Sequence, residues 1–396
     1  MNKRYQSIFL SVSLFFSCGA LNAKTQVQEK PQETLPLIKI LIKQDAQGAL
    51  IESKGGFAIY NPENGKKLSS GNKGKRCYLQ PLPDGIKWGE GFPGIYQIAL
   101  NGMTKNDTFL VDGVEYEGSI TVYEIDNHVS IINQIPLENY LKYWLSEQFD
   151  GEHIDMKLLK SLAIIKRTQL YYTLAKNKNS FWQIDASKSN FLGYSQSELD
   201  KYIDEAVDST KAVILTYNYK PFYPEWTQHS AGATANYQMI FRKNILSPGG
   251  VEAPYARKDR EKSLWTFSLQ KSQFAQLLKT NRITAIDTFE DKQSGRIYAI
   301  RIKDGVQSHE LDFFSFQKLI GEKYLKSNLF TVKLDRDQVK FEGYGEGHGV
   351  GLCLYSANEM SKKGATVEQI LLDFFPNTLL QEVKKLDFSK DGLDDF

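Results

Sequence analysis

Apolar and polar residues alternate in short runs over the first third of the chain. From "LIKILIKQ" to "HVSIINQ" the period is two, with turn punctuation at "NPENG", "LPDG", "NGMTKND" and "DNH". That pattern predicts a β-rich N-terminal region over 37–130. The period then changes to 3.6. Pro136 suits the start of a helix, and Leu137, Tyr140, Leu141, Trp144, Leu145 and Gln148 share one face. A second helix begins at Asp155, a good N-cap residue, and runs through "MKLLKSLAIIKRTQLYYTLAKN". Its apolar residues, from Leu158 to Tyr172, cover nearly the whole circumference, which predicts a buried central helix. Strands follow around "KAVILTYNYKPFYPEWT", "SLWTFSL", "AIDTFEDKQSGRIYAIRI" and "LFTVKL", with helices near 271–280 and 313–320. One more helix starts near Leu352, and the last, "ATVEQILLDFF", ends at Pro376. The expected fold class is α+β: the β-rich region packed on a mixed α/β domain (131–385) with a buried central helix.

The two ends read differently. "MNKRYQSIFLSVSLFFSCGALNAKTQ" has a basic start, an apolar run from Ile8 to Phe16 and small residues beyond it. This is the pattern of a secretory signal over 1–23, cleaved after Ala23, and it is too short for an ordinary transmembrane helix. Phe15-Phe16-Ser17 is a poor lipidation context for Cys18. The expected location is therefore exported, periplasmic or cell-wall associated. Residues 24–36 read as a polar, Pro-containing linker, and 386–396 as a polar tail. With the signal removed, Cys77 and Cys353 remain, too few and too distant for a disulfide framework. A net charge of +2 gives no electrostatic footprint for nucleic acid or an anionic membrane.

Candidate chemistry starts at "GYGEGHGVG", with Gly343, Gly345, Gly347, Gly349 and Gly351 at alternate positions. The spacing is G-x-G-x-G, not the dinucleotide fingerprint G-x-G-x-x-G. It predicts a stretch where another group approaches the backbone closely. Glu147 lies beside Tyr140 at the edge of the first helix's apolar stripe. Partial desolvation at such an edge favours a protonated carboxyl that can donate; a solvated glutamate at a helix end is the plainer alternative. Lys160 and Arg167, on an otherwise apolar helix, need an internal acid or an anionic ligand. His229 and Ser230 are adjacent, so on a strand they point to opposite faces and do not form a proton relay. No G-x-S-x-G elbow, H-x-x-x-H or C-x-x-C spacing occurs, which argues against serine hydrolysis and a zinc site.

Several segments together resemble the SpoIID and amidase-enhancer LytB family of bacterial cell-wall proteins. "NQIPLENYLKYWLSEQF" is similar to the family's VPLEEYL…SEMP stretch, and "LLKSLAIIKRTQLYY" to its ALKAQAVAARTYA helix. "AVDSTKAVILTYNYKPFYPEWTQHSAGATAN" resembles its AVxxTxGxVLTYxGKPI…HSSSGGxT segment. "FFSFQKLIGEKYLKSNLF" and the glycine motif, continuing through "LLDFFPNTLL", match the remaining elements in order. The resemblance implies a lytic transglycosylase acting on peptidoglycan glycan strands, especially denuded ones, with Glu147 as acid and base and a 1,6-anhydroMurNAc product. It implies substrate-binding roles for Lys160, Arg167, His229, Ser230, Tyr344, His348 and Tyr355. Arg167, with Lys160, is then expected to read the free lactyl carboxylate of a denuded strand; pairing with Glu138 or Glu147 is the competing role. The glycines are expected to let a glycan approach beside His348 and Tyr344. The other reading is a non-catalytic module that binds glycan or stimulates a cell-wall amidase. Gln148-Phe149, Leu162 and Leu352-Cys353-Leu354 depart from the family pattern. Some members hold a structural zinc through His and Cys near the stretch matching "IDASKSNFLGYS"; this chain has neither there, so no metal or cofactor is expected.

Overall fold

The structure, a computed structural model, describes residues 36–149, 154–189, 191–194 and 200–383. The expected signal segment with Cys18, nearly all of the linker, and the polar tail lie outside the described residues.

Alternation in the N-terminal third produces two sheets, antiparallel throughout except that the short strand Ile184–Asp185 pairs parallel with Leu37–Ala46. One has the order Ile184–Asp185, Leu37–Ala46, His128–Pro136, Ser119–Ile125, Gln97–Gly102, Phe57–Tyr60, Lys67–Gly71. The other runs Val114–Tyr116, Phe109–Val111, Ala49–Ser53, Arg76–Leu82, Gly85–Trp88, Glu90–Pro93. Ile38, Ile40, Ile51, Phe57, Leu79, Trp88, Ile98 and Val122 are buried in one cluster shared by both sheets. The same cluster continues into the helices through Leu137, Tyr140, Leu141, Leu162 and Ile165. The strand His128–Pro136 delivers the chain directly into helix α1 (Leu137–Gln148), with Pro136 as its N-cap. The sheets and helices therefore share one core.

Helix α2 (Met156–Lys176) is long because nothing interrupts it: it has no Gly or Pro, and good helix formers fill it. The Asp155 side chain accepts from the Lys157 N–H at 2.9 Å, capping its start. Buried positions lie all round it, including Leu158, Leu159, Leu162, Ile164, Ile165 and Leu170. Each such side chain contributes about 1.5–3 kcal/mol by leaving water. The helix Asp200–Ser209, whose Ile203, Ala206 and Val207 are buried at i, i+3, i+4 spacing, packs on α1 and α2. The sequence reading passed over it.

Residues 264–341 bury a separate cluster. Strands Leu264–Gln270, Gln338–Tyr344 and Phe330–Leu334 form one sheet; Ala285–Glu290, Ile297–Lys303 and Ser308–Asp312 form another. Helices Lys271–Leu277 and Phe313–Ile320 complete the cluster with Phe274, Phe313 and Phe316. The expected α+β class holds. No helix of the described residues is long and apolar enough to cross a membrane.

Candidate functional site

The site is built around a parallel pairing that secondary-structure patterns do not reveal. Trp226–Thr227 pairs with Leu352–Cys353, so the segment 225–235 lies along the glycine motif. His229 and Glu346 exchange both backbone hydrogen bonds, at 3.0 and 2.9 Å. The Thr227 hydroxyl donates to the Glu346 carbonyl and accepts from the Gly349 N–H.

The glycines are needed for this contact. A Cβ on Gly345 would lie 2.5 Å from the His229 carbonyl oxygen, one on Gly347 2.5 Å from Thr227 Oγ1, and one on Gly351 2.0 Å from the Glu225 carbonyl oxygen. At Gly349 it would meet the Arg296 guanidinium at 2.0 Å. Close approach to the backbone was expected, with a glycan as the visitor. The visitor is the chain itself, so the glycan role of these glycines is corrected: they seat a neighbouring strand and a buried arginine. Arg296 is fully buried, donates to Asn328 and to the Ser230 carbonyl, and its charge opposes protonation of both His229 and His348.

Three neighbouring depressions, each sharing lining residues with the next, form a groove along one stripe of α2. At its C-terminal half, Gln169, Leu170, Thr173 and Asn177 line a cavity of about 640 Å³ with Phe181, Trp182 and Tyr223. A middle section of about 480 Å³ shares Lys166, Gln169 and Tyr223 with the first and adds Trp144, Gln148, Glu225, Trp226 and His348. The third section, about 470 Å³, shares Gln228 and Glu346 with the middle one and is lined by Asp155, Leu158, Leu162, His229 and Tyr355. A 21-residue helix is roughly 30 Å long, so the groove is an extended one.

The expected site residues divide. Glu147 is half-buried in the last turn of α1, next in sequence to Gln148 and one turn from Trp144, which both line the middle section. His229 and Tyr355 line the third section with their rings 4.5 Å apart. Tyr355 donates to Asp259 at 2.7 Å. His229 Nδ1 accepts the Ala231 N–H, while its buried Nε2 has no partner. Ser230, beside it, is fully buried, away from the groove lining, as alternation along an extended chain requires. His348 lines the middle section; burial and Arg296 push its pKa down to about 3, so the ring is neutral. Tyr344 lies under the Arg260 guanidinium, 4.3 Å from its centre.

Lys160 and Arg167 face elsewhere. Arg167 is fully buried and makes a bidentate pair with Glu138, at 2.9 and 2.8 Å, with further bonds to the Val207 and Val213 carbonyls. Lys160 lies 3.8 Å from Glu205 of the helix Asp200–Ser209. The carboxylate-reading role expected of Arg167 is corrected: the guanidinium has no exposed surface to offer a ligand, and its partner is the internal acid Glu138. On α2 it is Lys166 that lines the groove, one residue away from Arg167 and so rotated by about 100° around the helix. Its ammonium sits 4.5 Å from the Trp144 ring centre, and burial lowers its pKa to about 8 against the pull of Glu225.

Glu225 was missed as well. Burial raises its pKa to about 7, opposed by Lys166, Lys243 and a hydrogen bond from Gln169. Its signal in the sequence is the glutamate that opens "EWTQHSAG", next to Trp226 and four positions before His229. Among the described residues no group of three or more His, Cys, Asp or Glu is arranged to hold a metal ion. Cys77 and Cys353 are both free thiols.

Residues 125–217 match the family described as "SpoIID: Stage II sporulation protein". An uncharacterized protein of Chlamydia pneumoniae is 31% identical over 211 residues, covering 52% of this chain and 76% of that protein. Stage II sporulation protein D of Bacillus subtilis strain 168 is 27% identical over 281 residues, 67% of this chain and 79% of its own length. The amidase enhancer of the same organism is 36% identical over 62 residues, 16% of this chain and 9% of that one. The chain belongs to the SpoIID/LytB family of bacterial cell-wall proteins.

Proposed function

We propose that this protein is an exported lytic transglycosylase that cleaves the MurNAc-GlcNAc bond of peptidoglycan glycan strands and forms 1,6-anhydroMurNAc. The observation that carries the reading is the groove along α2. It is open, extended and lined by aromatic rings (Trp144, Trp182, Tyr223, Trp226) interleaved with hydrogen-bonding side chains, which suits a linear polysaccharide rather than a compact metabolite. Glu147, the family's catalytic position, borders the middle section through its neighbours Trp144 and Gln148.

In this scheme the Glu147 carboxyl protonates the glycosidic oxygen as the anomeric bond breaks. The MurNAc C6 hydroxyl attacks the anomeric carbon and loses its proton to a carboxylate. No water is activated, so the second carboxylate that glycoside hydrolysis ordinarily uses for that step is not required. Mass spectrometry of digested, peptide-free glycan strands tests it: wild type should release anhydro-disaccharides, and Glu147→Gln should lower that release by about 100-fold or more. Identical products from both proteins would remove Glu147 from the mechanism.

A second reading, a glycan-binding or amidase-stimulating module, is favoured by the lining itself. Gln148, Leu162 and Leu354 all line the groove, and all depart from the family pattern. If wild type releases no anhydro product yet retains denuded strands in a binding assay, this reading replaces the first.

A further inference from the structure

We propose that Glu225 is a second proton-transferring carboxyl of the groove, taking up the proton of the attacking C6 hydroxyl while Glu147 protonates the departing oxygen. The inference rests on the transglycosylase reading and adds a residue to it. Glu225 lines the middle section together with Trp144 and Gln148 of α1 and Lys166 and Gln169 of α2, and its side chain is 19% exposed. Its Oε2 lies 3.5 Å from Gln169 Nε2 and 4.0 Å from His348 Nε2. The second distance is too long for a direct hydrogen bond, and it leaves the carboxyl free to engage an incoming oxygen. His348 Nδ1 accepts the Val350 N–H at 3.1 Å, so the neutral ring carries its proton on Nε2, facing Glu225.

The backbone beneath is fixed. The Glu225 carbonyl accepts from the Leu352 N–H at 3.0 Å and occupies the space that a side chain at position 351 would need. A group held this way keeps its position as charge moves. The charged and titratable groups around it are Lys166 on α2, Lys243 beyond the short helix Tyr237–Phe241, Tyr237 within that helix, Tyr223 on its own segment, His348 on the glycine motif, and Glu346 on the shared rim. Burial dominates and brings the carboxyl to about 7, where it exchanges protons readily near neutral pH.

The step balances without a co-reactant. The Glu147 proton goes to the glycosidic oxygen as the C1–O bond breaks. The C6 oxygen bonds to C1, and its proton passes to the Glu225 carboxylate. One proton has moved from Glu147 to Glu225, and exchange with solvent in the groove returns it.

The test measures anhydro-product release from denuded strands by the full chain, between about pH 5 and 9. Wild type should show a rate that rises with pH through about 7. Glu225→Gln should lose that rising limb and lower kcat by about 100-fold or more, with KM changed less than about threefold. Glu225→Asp should restore part of the rate. Lys166→Met, which removes a cation that favours ionised Glu225, should move the limb to higher pH. An unchanged rate and profile in Glu225→Gln overturns the proposal, and so does a lowered rate with the limb intact. Should Glu225→Gln fail to fold, the limb of Lys166→Met decides: unmoved, it overturns the proposal. A wild type with no anhydro product overturns the transglycosylase reading itself, an outcome distinct from all of these.

Discussion

Arg167 shows how one residue's position on a helix decides between structure and ligand binding. Its guanidinium is matched by Glu138 on α1 and by carbonyls from the helix Asp200–Ser209 and the strand after it. Such a pair adds little relative to apolar residues, but removing one partner leaves an uncompensated buried charge. Arg167→Met should therefore destabilise the fold by about 3–5 kcal/mol, read as a lower urea midpoint, and Arg167→Met with Glu138→Gln should recover part of the loss. Glu225 gives a pH prediction of the opposite kind. Its folded pKa of about 7 exceeds the ordinary 4.5, so the folded state binds the proton more tightly than the unfolded chain. That contribution is fully present below pH 4.5, declines as pH rises to about 7, and is flat above. His348, held down to about 3 from 6.5, slopes the other way over part of that range. The Glu225 share is thus read as a difference: relative to Glu225→Gln, wild type should lose Tm between pH 5 and 8.

At the scale of elements, the glycine motif acts as a socket. Gly345, Gly347, Gly349 and Gly351 all have φ between 71° and 90°, where glycine carries no steric cost. Gly351→Ala combines backbone strain of about 1–3 kcal/mol with a clash against the Glu225 backbone, which cannot swing aside as a flexible side chain would. Thermal unfolding should show a large drop in Tm. Gly364→Ala, also at positive φ but with open space around it, should cost only the strain. Helix boundaries were legible where the local code was strong. Asp155, Thr366 and Asp312 all cap helices through side-chain bonds to backbone N–H groups, as their residue types predict. The helix Asp200–Ser209 keeps its apolar stripe (Ile203, Ala206, Val207) on one face and its acidic residues on the other, but at ten residues it gives periodicity little length to show itself.

Across the whole molecule, the groove follows α2 because the central helix is covered by other elements on its remaining faces. Phe181 and Trp182 lie at the end of the groove away from His229. If strands occupy its full length, Phe181→Ala with Trp182→Ala should weaken long denuded strands by about fivefold, or 1 kcal/mol, and leave short fragments unaffected, measured by affinity against strand length. Equal loss for short and long strands would confine binding to the other two sections.

Periodicity and capping chemistry were enough to determine the α+β class, the central helix, the last helices and the need for something to sit against the glycines, because each is written in residues a few positions apart. Tertiary structure alone decided what sits there, since Glu225 and the Gly351 it packs against are 126 positions apart. It also decided that Lys166 rather than Arg167 faces the groove: both are cations on the same turn, and only the packing of the helix Asp200–Ser209 shows which side of α2 is covered. Burial set the state of Glu225 in the same way. Its charge depends on how much water α2, the glycine motif and the Tyr223 segment together exclude, and no local pattern carries that quantity.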